Sequence, residues 1–207
     1  MSLDIAPYLK GVALIYSELD SRYAELASGY NGFGCGGCDD LCCNGVFVHF
    51  TLIEHFYLAE GFRKLPPGKR EDLLRRARQY NEAYSRVSSP EAKFRMPCPL
   101  NEDPLCLFYQ YRPVLCRVYG LPGRLRAAGG RIQEFKGCWR FEKDRGSGKR
   151  EYLDRTPYYS RLANLEKELR EKLVYFQRYR KTVAQMLLDE KRPEALIMRT
   201  YDFFEGY

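Results

Sequence analysis

Apolar positions fall into helical register near both ends of this chain and lose register in the middle. Over about residues 4–28, Leu9, Val12, Ile15, Leu19, Tyr23 and Leu26 recur every three or four places, which predicts an amphipathic helix. Gly29 and the run Asn31-Gly32-Phe33-Gly34 end it. A second helix is expected from 46 to about 61, carrying Val48, Leu52, Phe56 and Leu58. Pro66-Pro67-Gly68 interrupts the chain, and a third helix follows over about 69–87, dense in arginine and lysine on its polar face. Pro157 opens what the pattern predicts as the longest helix, 157–190, with a stripe of Leu162, Leu165, Leu169, Leu173, Phe176, Tyr179, Val183 and Leu187. The tail, 193–207, is apolar enough to pack on the body.

Between 88 and about 145 the periodicity disappears. Pro90, Pro97, Pro99, Pro104, Pro113 and Pro122 leave room only for short elements, such as a helix over 114–119 and a strand over 131–135. A segment of this kind must take its order from cross-links or ligands. No internal repeat is visible, and only Gly146-Ser147-Gly148 reads as a flexible loop. The expectation is a mainly α fold in a single domain, 1–207. A small helical domain would surround the Pro-rich, metal-organised segment and be closed by the long carboxy-terminal helix.

Composition adds two constraints. The 207 residues are 45% hydrophobic, enough for a real core, and the 17 Tyr and 12 Phe against one Trp place many rings at its boundary. The amino terminus lacks a basic and then apolar leader, and no apolar run approaches the about 18 residues that span a bilayer. A soluble, cytoplasmic protein with no membrane partner is therefore expected.

The chemistry lies in eight cysteines. Cys35, Cys38, Cys42 and Cys43 form a C-x2-C-x3-C-C cluster, and Cys98, Cys106, Cys116 and Cys138 follow inside the Pro-rich region. Thiolates this dense repel one another unless disulfides or a soft metal neutralise them. In a reduced compartment metal is favoured, and adjacent Cys42 and Cys43 are poorly placed to bond each other. Gly36 and Gly37 suit a tight C-x2-C turn in which backbone N–H groups can face sulfur. Cys42 and Cys43 point in different directions, so the pair serves two metals or one of its members packs. Arg112-Pro113 precedes Cys116, setting it near a helix amino terminus where Arg112 and Arg117 would favour the thiolate.

All-sulfur ligation suits zinc or an iron–sulfur cluster. A single C-x2-C and otherwise irregular spacings, with proline beside Cys98, lean toward iron–sulfur. Two four-thiolate centres of about −2 each would lower the formal charge of +7 to about +3, which weakens the case for nucleic acid. The arginines at 75, 76, 78 and 86, and the group Arg124, Arg126, Arg131 and Lys136, then read as solvated basic faces. Asp39 and Asp40 read as caps of the turn into Cys42. His49 is near enough to Cys43 to substitute as a ligand, but ordinary helix positions account for His49 and His55 better.

The order C-x2-C-x3-C-C, then Cys98-Pro99-Leu100, Cys106, and Arg112-Pro113-x-x-Cys116-Arg117-x-Tyr119 resembles the YkgJ-type cysteine-cluster family, described as zinc- or iron-chelating. The likeness covers about 34–138 and implies all eight cysteines as metal ligands of a cysteine-cluster core. A similar pattern in flagellin lysine N-methylases implies an iron–sulfur cluster with S-adenosylmethionine use, but no dedicated cofactor motif matches here. The leading expectation is a metal-binding protein holding iron, as an iron–sulfur cluster, or zinc. The alternatives are an iron–sulfur enzyme methylating protein lysines and, more weakly, a nucleic-acid or protein adaptor. No catalytic residue is assigned.

Overall fold

The computed structural model describes residues 4–34, 42–87, 94–102, 105–127, 129–145 and 150–189. Seven α-helices dominate these residues, joined by very short strands. Helix α1 (Ala6–Gly29) starts on Pro7 and buries Val12, Ile15, Tyr16, Leu19 and Leu26 along one face. Asn31 and Gly32 take positive φ at its end, and the Gly32 and Phe33 N–H groups return to the Ala27 carbonyl. After a 3-10 turn (Cys42–Asn44), β1 (Val48–His49) leads into α2 (Leu52–Arg63). Val48 was expected on this helix; it lies instead on a strand, and the helix begins only after Thr51.

Helix α2 is buried on nearly every side, including Glu54 and His55, so it has no solvent face to give it a helical pattern. Its amino terminus is held from outside: Leu52 and Ile53 N–H donate to the two oxygens of Glu166, at 2.9 and 2.8 Å. A carboxylate there satisfies open donors and complements the helix dipole. Helix α3 (Pro67–Ser85) follows, burying Leu73, Leu74, Ala77 and Tyr80.

The Pro-rich region is a chain of small pieces, as its composition predicts. Strands β2 (Asn101–Glu102) and β3 (Leu105–Cys106) pair antiparallel, and α4 (Val114–Val118) is barely more than a turn. Strand β4 (Gly123–Arg126) is central in a three-stranded sheet, antiparallel to β5 (Ile132–Phe135) and parallel to β6 (Leu153–Asp154). Helix α5 (Trp139–Arg145) lies between β5 and β6.

The expected long helix 157–190 is not continuous. Helix α6 (Thr156–Lys172) stops, Val174 adopts φ 52°, and β7 (Lys181–Thr182) pairs with β1 before α7 (Val183–Leu188) begins. Phe176, counted in the apolar stripe, is consequently exposed. A readable signal marked the restart: Thr182 and Gln185 form a reciprocal capping box, each side chain bonding the other's backbone N–H. Helix α7 packs on α3, while α6 packs on α1 and α2. The longest helix among the described residues is therefore α1. The tail 193–207 and the Gly146-Ser147-Gly148 loop lie outside the described residues. No helix among the described residues is long and apolar enough to cross a membrane.

Candidate metal centre

Five of the eight cysteines are delivered to one place by five different elements. Cys43 comes from the 3-10 turn and Cys98 from the segment beside it, whose N–H donates to the Cys43 carbonyl at 2.9 Å. Cys106 sits on β3, Cys116 on α4, and Cys138 immediately before α5. All five are half-buried thiols, not disulfides. They line a single cavity of about 140 Å³ whose remaining wall is largely apolar, with Phe33, Phe47, Tyr80 and Leu100 among its residues.

The local backbone is arranged for sulfur. The Leu100 N–H donates to the Cys98 sulfur and the Phe108 N–H to the Cys106 sulfur, each from two residues further along. Donors so placed favour thiolate over thiol. Glycine sets the position of Cys138. Its N–H donates to the Gly120 carbonyl at 2.9 Å, Gly120 has φ +113°, and a Cβ on Gly137 would lie 2.5 Å from the Phe141 ring. Phe141 is fully buried, and the edges of Tyr30 and Phe33 close around it.

A buried hub, not signalled by any motif, holds Cys116. Glu54 accepts from the Tyr16 hydroxyl at 2.6 Å, from the Val114 N–H at 2.6 Å and from the Thr51 hydroxyl at 2.5 Å. It thereby fastens the first turn of α4 to α1 and α2. Arg117 does the same from the other side, donating to the Arg112 carbonyl at 2.9 Å, to the Gln110 carbonyl and to Asp20. Its guanidinium stacks on Tyr16 at 4.0 Å.

These contacts correct the reading of Cys116 as a ready thiolate. Burial pushes its thiol well above the ordinary range, and the neighbouring Cys98, Cys106 and Cys43 push it further. Burial likewise raises Cys98 to about 12 and Cys106 to about 11. The opposing pull of Arg112 on Cys116 is smaller than these causes. Helix α4 has only five residues, too few for a strong dipole, and Arg117 is spent on its own bonds. Burial thus favours the protonated thiol at Cys98, Cys106 and Cys116.

The sulfurs surround a space rather than a point. Among the described residues, no three His, Cys, Asp or Glu side chains converge closely enough to hold one metal ion. Cys98, Cys106, Cys116 and Cys43 are nevertheless near enough for each charge to act on the others. Cys35 and Cys38, with Asp39 and Asp40, lie outside the described residues, as does the Cys42 side chain. Gly34 and Cys43, on either side of that segment, both belong to the cavity wall.

His49 and His55 are not part of the described wall. Both are fully buried, His49 on β1 and His55 on α2, and burial lowers the basicity of each, that of His55 to about 4. On the basic face of α3, Asp72 pairs with Arg75 and Arg76, Glu102 with Arg76, and Glu82 with Arg86. Tyr80 and Tyr84 pack against each other and Phe94 rather than standing free for bases. What sequence reading missed is the rim of the cavity, where Leu105, Tyr109, Tyr119 and Trp139 are exposed. Their nearness to cysteines along the chain was the available signal. Compared with protein-family models, with curated proteins and with solved structures, the chain matches none.

Proposed function

We propose that this protein binds metal through the cysteine-lined cavity, holding iron as an iron–sulfur cluster, with zinc as the alternative occupant. The observation that carries the reading is the convergence of Cys43, Cys98, Cys106, Cys116 and Cys138 on one apolar cavity as thiols. Cys35, Cys38 and Cys42 complete the proposed ligand set, in keeping with the resemblance to the YkgJ-type cysteine-cluster family.

The choice of metal draws on spacing. A single tetrahedral zinc at 2.3 Å from each sulfur would hold its sulfurs about 3.8 Å apart. A single C-x2-C with otherwise irregular cysteine intervals leans instead toward an iron–sulfur centre. Backbone N–H donors to sulfur also suit iron–sulfur ligation, where such bonds tune the cluster. A second reading, an iron–sulfur enzyme using S-adenosylmethionine to methylate protein lysines, is favoured by the exposed aromatic rim, which leaves room for a ligand beside the centre.

Anaerobic purification with an absorbance spectrum, iron, zinc and sulfide analysis tests the proposal. A brown protein with a broad band near about 400 nm and matching iron and sulfide is expected. Colourless protein with stoichiometric zinc would select the alternative occupant. Protein with neither metal after anaerobic reconstitution would refute the reading.

A further inference from the structure

The cavity wall is unbalanced in charge. Its described residues include three guanidiniums, Arg112, Arg117 and Arg140, and no carboxylate or lysine. Two acids outside the wall reach them: Asp20 pairs with Arg117 and lies 3.5 Å from Arg112, and Asp144 lies 3.7 Å from Arg140. Arg112 and Arg117 share the one carboxylate of Asp20, so this pair of guanidiniums carries a positive charge in excess. The Arg112 side chain is only 12% exposed, and its Nε has no hydrogen-bond partner. Besides Asp20, the ring of Tyr109 holds it, with its centroid 3.6 Å from the guanidinium carbon.

Burying a cation this way is costly unless an anion compensates. Arg112 lies between Cys106 and Cys116 in the chain, and its field favours the thiolate of both. A four-thiolate zinc or [4Fe–4S] centre carries about −2 and would supply the compensating anion that the described wall residues lack. We propose that Arg112, held flat on Tyr109, is the counter-charge of the metal centre and sets its affinity and, in a redox-active cluster, its potential. The proposal rests on the cavity being the metal site. Arg112 is a positioning residue of electrostatic kind: it acts on the centre through the sulfurs rather than by ligating metal.

The test uses the full chain with zinc alone, competed against a colorimetric chelator, and with ferrous iron and sulfide followed by redox titration. Arg112→Met keeps the apolar stem and removes the charge; Arg112→Lys keeps the charge. For a unit charge a few ångströms from sulfur at an effective dielectric near 20, Arg112→Met should weaken zinc binding by about ten- to a hundredfold. The same variant should lower the cluster's potential. Arg112→Lys should stay within about threefold of the parent, since the Coulomb interaction is retained. Tyr109→Ala should fall between them, and Arg124→Met, on exposed β4, should change nothing.

Equal affinity and potential in the Met variant and the parent would overturn the assignment, as would equal loss in the Met and Lys variants, which marks a packing role. If Arg112→Met does not fold, Tyr109→Ala decides, because that ring is half exposed. A parent chain that binds neither zinc nor iron refutes the metal reading itself, which is a separate result.

Discussion

Replacing Glu54 by alanine should damage the fold and the cavity together. Glu54 is 3% exposed and serves Tyr16, Val114 and Thr51 at once. Thr51 is partly exposed and can turn to water, but the Tyr16 hydroxyl is buried. Burial and the adjacent Glu54 hold that phenol protonated far above its ordinary range, so it stays a donor at any working pH. Leaving two buried donors without a partner, at about 1–3 kcal/mol each, gives an expected loss of about 2–6 kcal/mol. That is a large part of the about 5–15 kcal/mol that stabilises a typical domain.

Urea denaturation followed by circular dichroism would measure it, with a double-mutant cycle against Tyr16→Phe. Tyr16→Phe alone should cost about 1–2 kcal/mol, and close to nothing once Glu54 is gone. Since the Val114 N–H opens α4, Glu54→Ala should also weaken the metal binding proposed for the cavity in whatever fraction remains folded. A loss below about 1 kcal/mol, or full additivity with Tyr16→Phe, would refute the hub.

Two other predictions concern burial elsewhere. His55 has a folded basicity lowered to about 4 by burial, against about 6.5 unfolded. The unfolded chain therefore takes the proton first: the stability is complete above about pH 6.5 and declines as pH falls toward 4, by about 3 kcal/mol in all. His55→Leu should flatten the stability profile across that window by the same amount, and an unchanged slope would sink the assignment. Gly137→Ala forces a Cβ to 2.5 Å from the Phe141 ring and 2.8 Å from the Gly120 carbonyl and should cost about 1–3 kcal/mol by overpacking. Gly68→Ala, with nothing within 4 Å on α3, should be neutral or add up to about 1 kcal/mol in a thermal melt. Equal melting shifts for the two would contradict the packing around Cys138.

The pattern of apolar positions determined α1 and α3 closely, because each has one buried and one wet face and so repeats at the helical period. The prolines determined that the middle would be short pieces, and the cysteine order singled out eight residues, five of which line the cavity. Helix α2 was poorly bounded because burial on all sides erases periodicity, and Val48 was drawn into it for the same reason. The helix expected over 157–190 ran too far because an apolar stripe continues through Phe176 and Tyr179, while the turn at Val174 and the β1–β7 pairing lie between residues far apart in sequence.

Only the tertiary structure decided that Cys43, Cys98, Cys106, Cys116 and Cys138 share one cavity, since five separate elements must meet for them to do so. It also decided which way burial pushes the thiols of Cys98, Cys106 and Cys116. Sequence shows Arg112 and Arg117 beside Cys116, but whether charge or burial prevails depends on how much protein surrounds the sulfur. Here burial prevails, and a metal ion would have to reverse it.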